Sequence, residues 1–227
     1  MEQEKRQDSK VNLEMRTRKL ADFGLYFITD SSLSKKSPFE DAVAAIKGGV
    51  KIAQYREKYK PAKQMVEEAQ QIRDVCKKNN VLFIVNDRID IAIAVDADGV
   101  HLGQDDVPYE EARKIVGYEK IIGLSANSVE MALKNQELGA DYTSIGPIYP
   151  TKTKKDSKAP IGLEPIKQLK AQLKIPFVAI GGIKDSNIEE VLKAGARNIA
   201  MISAVITKEN VESTVRGYIT KVNSYKQ

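Results

Sequence analysis

The amino-acid sequence predicts an α/β protein of the (β/α)8 TIM-barrel class, a single barrel domain preceded by a short extension. Three observations lead there. The chain has 227 residues, a size at which eight strand–helix units close around one core. From residue 22 onward, short apolar runs alternate with longer amphipathic ones eight times, the rhythm of a parallel sheet with helical crossovers. The first apolar run is followed by ITDSSLSKKSP, where an open dinucleotide-binding sheet would carry a G-x-G-x-x-G turn.

Residues 1–21 are charge-dense and lack an apolar stripe, so they form an N-terminal extension, helical or disordered, ahead of a barrel spanning 22–227. The expected strands are Gly24–Thr29, Lys51–Arg56, Val81–Val85, Gly99–Leu102, Ile121–Gly123, Tyr142–Ile145, Phe177–Ile180 and Asn198–Ile202. Runs such as VLFIV and FVAI suit strands covered on both faces. Between them, Ser37-Pro38-Phe39-Glu40 combines an N-cap, a first-turn proline and a capping-box glutamate. Met65, Ala69, Ile72 and Cys76 recur at helical spacing and mark one buried stripe. Gly139 and Gly195 stand where left-handed helix stops belong, and Ser186 with Glu189 forms a second capping box.

Composition narrows the functional classes. The formal net charge is +5, a mild excess that suits phosphorylated substrates. The basic residues are spread among acids over helix faces, which argues against a nucleic-acid surface. Cys76 is the only cysteine, so no internal disulfide can form. Its place in an apolar stripe points to a buried, inert thiol. MEQEKRQDSK has no signal-peptide core, and no run is apolar enough to span a membrane. A cytoplasmic location is expected.

Polar residues gather at the ends of the expected strands, where barrel enzymes build their sites. Gln54, Arg56 and Lys58 alternate along the second strand and share the face that points into the barrel mouth, while Ala53 and Tyr55 face the helices. A guanidinium there calls for a phosphate or carboxylate partner. Asp87 and Asp106 follow the third and fourth strands. They fit a Mg²⁺ ion completed by water and phosphate oxygens, or, for Asp87, a helix cap. His101 lies within GVHLG as the only histidine, which excludes a multi-histidine zinc site and suggests a hydrogen-bonded structural role. The loop Gly146–Lys154, with Thr151, Lys152, Thr153 and Lys154, offers hydroxyls and lysines to a phosphate and is long enough to close over substrate. Gly181-Gly182-Ile183 and Ile202-Ser203-Ala204 follow strands seven and eight, a frequent barrel phosphate site.

These segments, taken in order, resemble the thiamine-phosphate synthase family. The matching stretches are Gln54-Tyr55-Arg56-Glu57-Lys58, Asn86-Asp87, Gly99-Val100-His101-Leu102-Gly103-Gln104 with Asp106, Gly123-Leu124-Ser125-Ala126, Gly146 to Lys154, Gly181-Gly182-Ile183 and Met201-Ile202-Ser203. The resemblance implies an alkyl transferase that joins a hydroxymethylpyrimidine diphosphate to a thiazole phosphate. Pyrophosphate leaves, with carbon dioxide as well when the thiazole carries a carboxylate. It implies that Gln54, Tyr55, Arg56, Glu57, Lys58, Asn86, Ser125 and Lys154 contact the pyrimidine diphosphate, with Arg56, Lys58, Lys154 and Ser125 in catalytic positions. Asp87 and Asp106 would hold Mg²⁺. Thr151, Lys152, Thr153, Gly182, Ile202 and Ser203 would hold the thiazole phosphate.

One position departs from the family: Asn127 stands where a histidine is common. That departure argues against the related thiazole tautomerase, which uses a histidine near this place for proton transfer. Other readings are a different phosphate-handling barrel isomerase and a catalytically silent sensor of thiamine phosphates. The expected partners are the two small-molecule substrates, with neither nucleic acid nor membrane, and homo-oligomerisation is compatible with the sequence.

Overall fold

The computed structural model describes residues 20, 22–153 and 158–225. The N-terminal extension expected over 1–21 lies outside the described residues, except for Leu20, which is buried. Eight parallel strands form a closed barrel in sequence order: β1 (Leu25–Ile28), β2 (Ile52–Tyr55), β3 (Leu82–Asn86), β4 (Gly99–Leu102), β5 (Ile121–Ala126), β6 (Tyr142–Ile145), β7 (Phe177–Ile180) and β8 (Ile199–Met201). Closure comes from β1, which pairs with β2 on one side and β8 on the other.

The described helices around it are α1 (Pro38–Gly48), α2 (Ala62–Lys78), α3 (Ile89–Ala94), α4 (Tyr109–Val116), α5 (Val129–Leu138), α6 (Glu164–Gln172), α7 (Ile188–Lys193), α8 (Ser203–Ile206) and α9 (Val211–Ser224). None is long and apolar enough to cross a membrane.

Local chemistry accounts for most boundaries. Ser37 caps α1 by accepting the Glu40 amide at 3.1 Å, and its hydroxyl donates to the Glu40 carboxylate at 2.9 Å. Gly139 ends α5 in the left-handed region at φ 96°, which costs a glycine little. The second expected capping box is not formed. Asn187, not Ser186, precedes α7, and its side chain ties the preceding loop by accepting from the Lys184 amide and donating to the Gly182 carbonyl. Strand β5 runs three residues past its expected end, because Ser125 and Ala126 pair with Ser144 and Ile145 of β6. The glycine and serine broke the apolar pattern without breaking the ladder.

The lower rim is held by side chains that sit just ahead of alternate strands. Asp98 accepts the Phe83 amide at 2.8 Å, Asp141 accepts the Ile122 amide at 2.8 Å, and Asn198 accepts the amides of Phe23 and Gly24 at 3.1 and 3.0 Å. Asp141 also receives Arg113 Nη2 at 2.8 Å, while Arg113 Nη1 donates to the carbonyls of Gly117 and Lys120. Arg113 and Asp141 are both buried, so removing either leaves a charge that the interior solvates poorly. Asp141→Ala is expected to lower stability by about 3–5 kcal/mol, read from urea unfolding. A loss below about 1 kcal/mol would show that the rim does not depend on the pair.

On α2, Met65, Ala69, Ile72 and Cys76 are all buried against the barrel. Burial, helped by the nearby Asp98 charge, pushes the Cys76 thiol up to about 12. The folded protein should therefore resist iodoacetamide at pH 8 and become alkylated at one site only after unfolding, as followed by mass spectrometry.

Candidate active site

The period-two geometry of a strand sends alternate side chains into the barrel, and here the inward set is polar near the C-terminal mouth. A small cavity of about 20 Å³ is lined among others by Tyr26, Gln54, Arg56, Asn86, His101, Ser144, Ile180 and Ile202. Arg56 is 9% exposed and pairs through Nη1 with Asp30 Oδ2, and Asp30 is itself buried. Asp30 Oδ1 meanwhile accepts the Ser32 amide and hydroxyl at 3.1 and 2.5 Å. The guanidinium thus has an internal carboxylate partner that sequence reasoning missed. Its Nε is buried and unbonded among the described residues, leaving a donor suited to an anion.

Lys58 does not simply face water: its Nζ reaches Asp87 Oδ2. Asp87 holds a left-handed backbone at φ 59°. It does not cap a helix, since α3 starts after Arg88 without a side-chain cap. The Asp87 carboxyl lies instead beside that of Asp106, and Asp106 Oδ2 accepts the Gly103 amide at 2.6 Å.

Their neighbourhood moves the two acids in opposite directions. Burial raises the Asp87 carboxyl, but hydrogen bonds from Lys58 and Asp106 outweigh it and the net direction is down. Asp106 is raised, by burial first and then by the neighbouring Asp87. The lowered Asp87 contributes stability above the ordinary carboxylate range and loses it as pH falls. The raised Asp106 costs stability once pH climbs enough to ionise it. Two adjacent oxygen-donor acids, one of them paired with a lysine, fit a hard divalent cation, which needs only one or two protein carboxylates. Among the described residues no cluster of three or more acidic, His or Cys side chains that could hold a metal ion occurs, at this mouth or elsewhere.

The remaining expected residues sort clearly. Tyr55 turns outward and donates to Glu68 Oε2 on α2 at 2.8 Å, so its side chain does not join the mouth. Glu57 is buried beneath the β2 loop, where Oε1 accepts the amides of Lys58 and Tyr59 at 2.8 Å. Ser125 faces the interior with its Oγ 3.0 Å from His101 Nε2. Thr151, Thr153 and Ser203 are brought together: Thr153 Oγ1 lies 3.2 Å from Thr151 Oγ1 and 3.3 Å from Ser203 Oγ. Gly182 packs so tightly under this loop that a Cβ would lie 2.7 Å from the Pro150 carbonyl oxygen. Ile202 lines the cavity, whereas Lys152 is exposed. Lys154 lies outside the described residues.

Below the mouth, Tyr26, Tyr142 and Ser144 join His101 in a buried polar layer. Their alternation along β1 and β6 was the available signal, hidden by the habit of reading tyrosine as packing. Gly123 makes the layer possible, because a Cβ there would lie 2.1 Å from Tyr142 Cζ.

A closed parallel barrel whose mouth joins a buried guanidinium, a lysine, two acids and a hydroxyl cluster belongs to the phosphate-handling (β/α)8 enzymes. The family is more particular. A family profile described as thiamine monophosphate synthase matches residues 25–205, and the chain belongs to that family. It is 48% identical over 203 residues to thiamine-phosphate synthase of Methanosarcina barkeri, covering 89% of this chain and 92% of that protein. Its identity to thiamine-phosphate synthase of Persephonella marina is 50% over 197 residues, covering 86% and 94%. The solved thiamine phosphate pyrophosphorylase of Pyrococcus furiosus superposes with a TM-score of 0.84 at 39% identity, covering 94% of this chain and all of that one (100%).

The acid pair yields a direct test. Lys58 lowers both carboxyls, so Lys58→Ala should move both titrations to higher pH in metal-free protein. Carboxyl ¹³C NMR reads this, and unmoved titrations would disprove the assigned contact.

Proposed function

We propose that this chain is a thiamine-phosphate synthase, acting in the cytoplasm and dependent on Mg²⁺. It would join a hydroxymethylpyrimidine diphosphate to a thiazole phosphate and release pyrophosphate. The observation that carries the reading is convergence: residues from four successive strand ends, Arg56 and Lys58, Asn86 and Asp87, Asp106, and Ser125, meet around one mouth. Membership of the family supports the choice of substrates.

The chemistry asks for little proton transfer. Breaking the C–O bond leaves its electron pair on the departing pyrophosphate and a pyrimidine-methyl cation behind. The lone pair of the thiazole nitrogen then forms the new C–N bond, so no base is needed for that step. Negative charge builds on the leaving group, and this is where the chain's cations act. Arg56 is held in place by Asp30 with Nε unbonded among the described residues, and Lys58 stands at the rim. Lys154 would add a further cation from the loop after β6. Asp87 and Asp106 would hold Mg²⁺, which supplies positive charge to the diphosphate oxygens. The hydroxyls of Thr151, Thr153 and Ser203 would receive the thiazole phosphate, which sets the nitrogen in line for attack. Gln54 and Asn86 would orient the pyrimidine diphosphate from the cavity wall.

The test supplies both phosphorylated precursors with and without Mg²⁺ and detects thiamine phosphate by mass. Formation that needs the ion is expected. Turnover of the thiazole alone, without pyrophosphate, would point to a tautomerase. Asp87→Asn should keep the fold and slow pyrophosphate release roughly 10²–10³-fold; Arg56→Ala should slow it likewise while lowering stability, since Asp30 is left buried without its partner, and near wild-type rates in either would refute the assigned site.

A further inference from the structure

Tyr26, Tyr142, His101 and Ser144 have no part in the reaction as derived so far, yet beneath the mouth they link Gln54 to Ser125 in one unbroken line. Gln54 Nε2 donates to the Tyr26 hydroxyl at 2.8 Å. The hydroxyls of Tyr26 and Tyr142 are 2.9 Å apart. The Tyr142 hydroxyl lies 3.0 Å from His101 Nδ1, and His101 Nε2 lies 3.0 Å from Ser125 Oγ and 3.4 Å from Ser144 Oγ. Every member but Ser125 is buried, where a hydrogen left without an acceptor is costly.

Counting hydrogens sets the direction. A phenol has one to give, and burial raises both tyrosines, keeping them protonated. The Tyr26 oxygen already receives the Gln54 amide. Among the described residues its own hydrogen then has one acceptor in reach, the Tyr142 oxygen. The Tyr142 hydrogen in turn goes to His101 Nδ1. A neutral imidazole with an accepting Nδ1 carries its proton on Nε2, where it is shared by the Ser125 and Ser144 oxygens. Ser125 therefore accepts from the ring, and its own hydrogen is left for the mouth.

We propose that Tyr142 and His101 are positioning residues: through this one-way chain they hold Ser125 as a hydrogen-bond donor to an acceptor atom of the bound pyrimidine half. The identity of that ligand rests on the synthase reading; the direction of the chain does not. Gly123 belongs to the same device, since no side chain fits there beside the Tyr142 ring.

His101 is the only histidine, so ¹⁵N NMR of the labelled, ligand-free protein reports this ring alone. The expected spectrum has a protonated, pyrrole-type Nε2 and a pyridine-type Nδ1, with the Nδ1 signal moving in Tyr142→Phe. A protonated Nδ1 in the wild type would mean that the chain runs from Ser125 towards Gln54, and would overturn the proposal. In thiamine phosphate formation, Tyr142→Phe should raise KM for the pyrimidine diphosphate roughly tenfold, the scale of one lost hydrogen bond, with kcat changed less. The same substitution in a Ser125→Ala background should add little. An equal effect in both backgrounds would show that Tyr142 only packs, and would also overturn it. Absence of any thiamine phosphate from the wild type would defeat the synthase reading, while the spectrum would still decide the direction of the chain.

Discussion

Closure of the parallel sheet governs everything else in this molecule. A ring of eight strands has no edge at which an awkward side chain can escape, so whatever points inward must be satisfied inside. Most barrels meet this demand with layers of Val, Ile and Leu. This one fills its middle layer with two tyrosines, a glutamine, a histidine and two serines. Such a layer is stable only when its members bond to one another, because an unmet polar group in the interior is costly. The same demand explains why a glycine faces Tyr142 and why Arg56 arrives with its own carboxylate.

The upper rim obeys a different rule. Asp87 and Asp106 are near enough to repel if both ionise, and their surroundings pull them apart: Lys58 beside Asp87 favours its charge, while burial and Asp87 disfavour that of Asp106. Arg56 likewise leaves its buried Nε unbonded among the described residues, while Asp30 pairs with its Nη1. Both arrangements are half-satisfied, in contrast with the closed accounting of the layer below. Groups left partly unmatched at an open mouth are the ones a ligand can complete.

Much of this was legible in the residues, and the parts that were not have identifiable causes. Strand order, the α1 cap, the α2 stripe and the Gly139 stop follow from local periodicity and capping, which depend on near neighbours. The inward face of Gln54 and Arg56 followed from strand alternation. The Asp30 partner of Arg56 did not, because it joins two strands 26 residues apart and nothing local marks it. The capping role considered for Asp87 and the capping box of Ser186 failed for a similar reason. Contacts to Lys58 and Asp106, and to the Gly182 loop, took the places that local chemistry would have filled. Tyr55 shows the opposite: reading alternation alone turned it correctly towards the helices, whereas motif resemblance counted it among the ligand contacts.

The lower rim has a consequence for how the chain is made. Asn198 holds the backbone of Phe23 and Gly24 across separations of 175 and 174 residues, and β1 finds its second neighbour only in β8. On a ribosome, the first strand is therefore exposed along one side until nearly the whole polypeptide has emerged. A nascent chain in that condition carries an open template for unwanted pairing, and the seam that removes it is the last to be sewn.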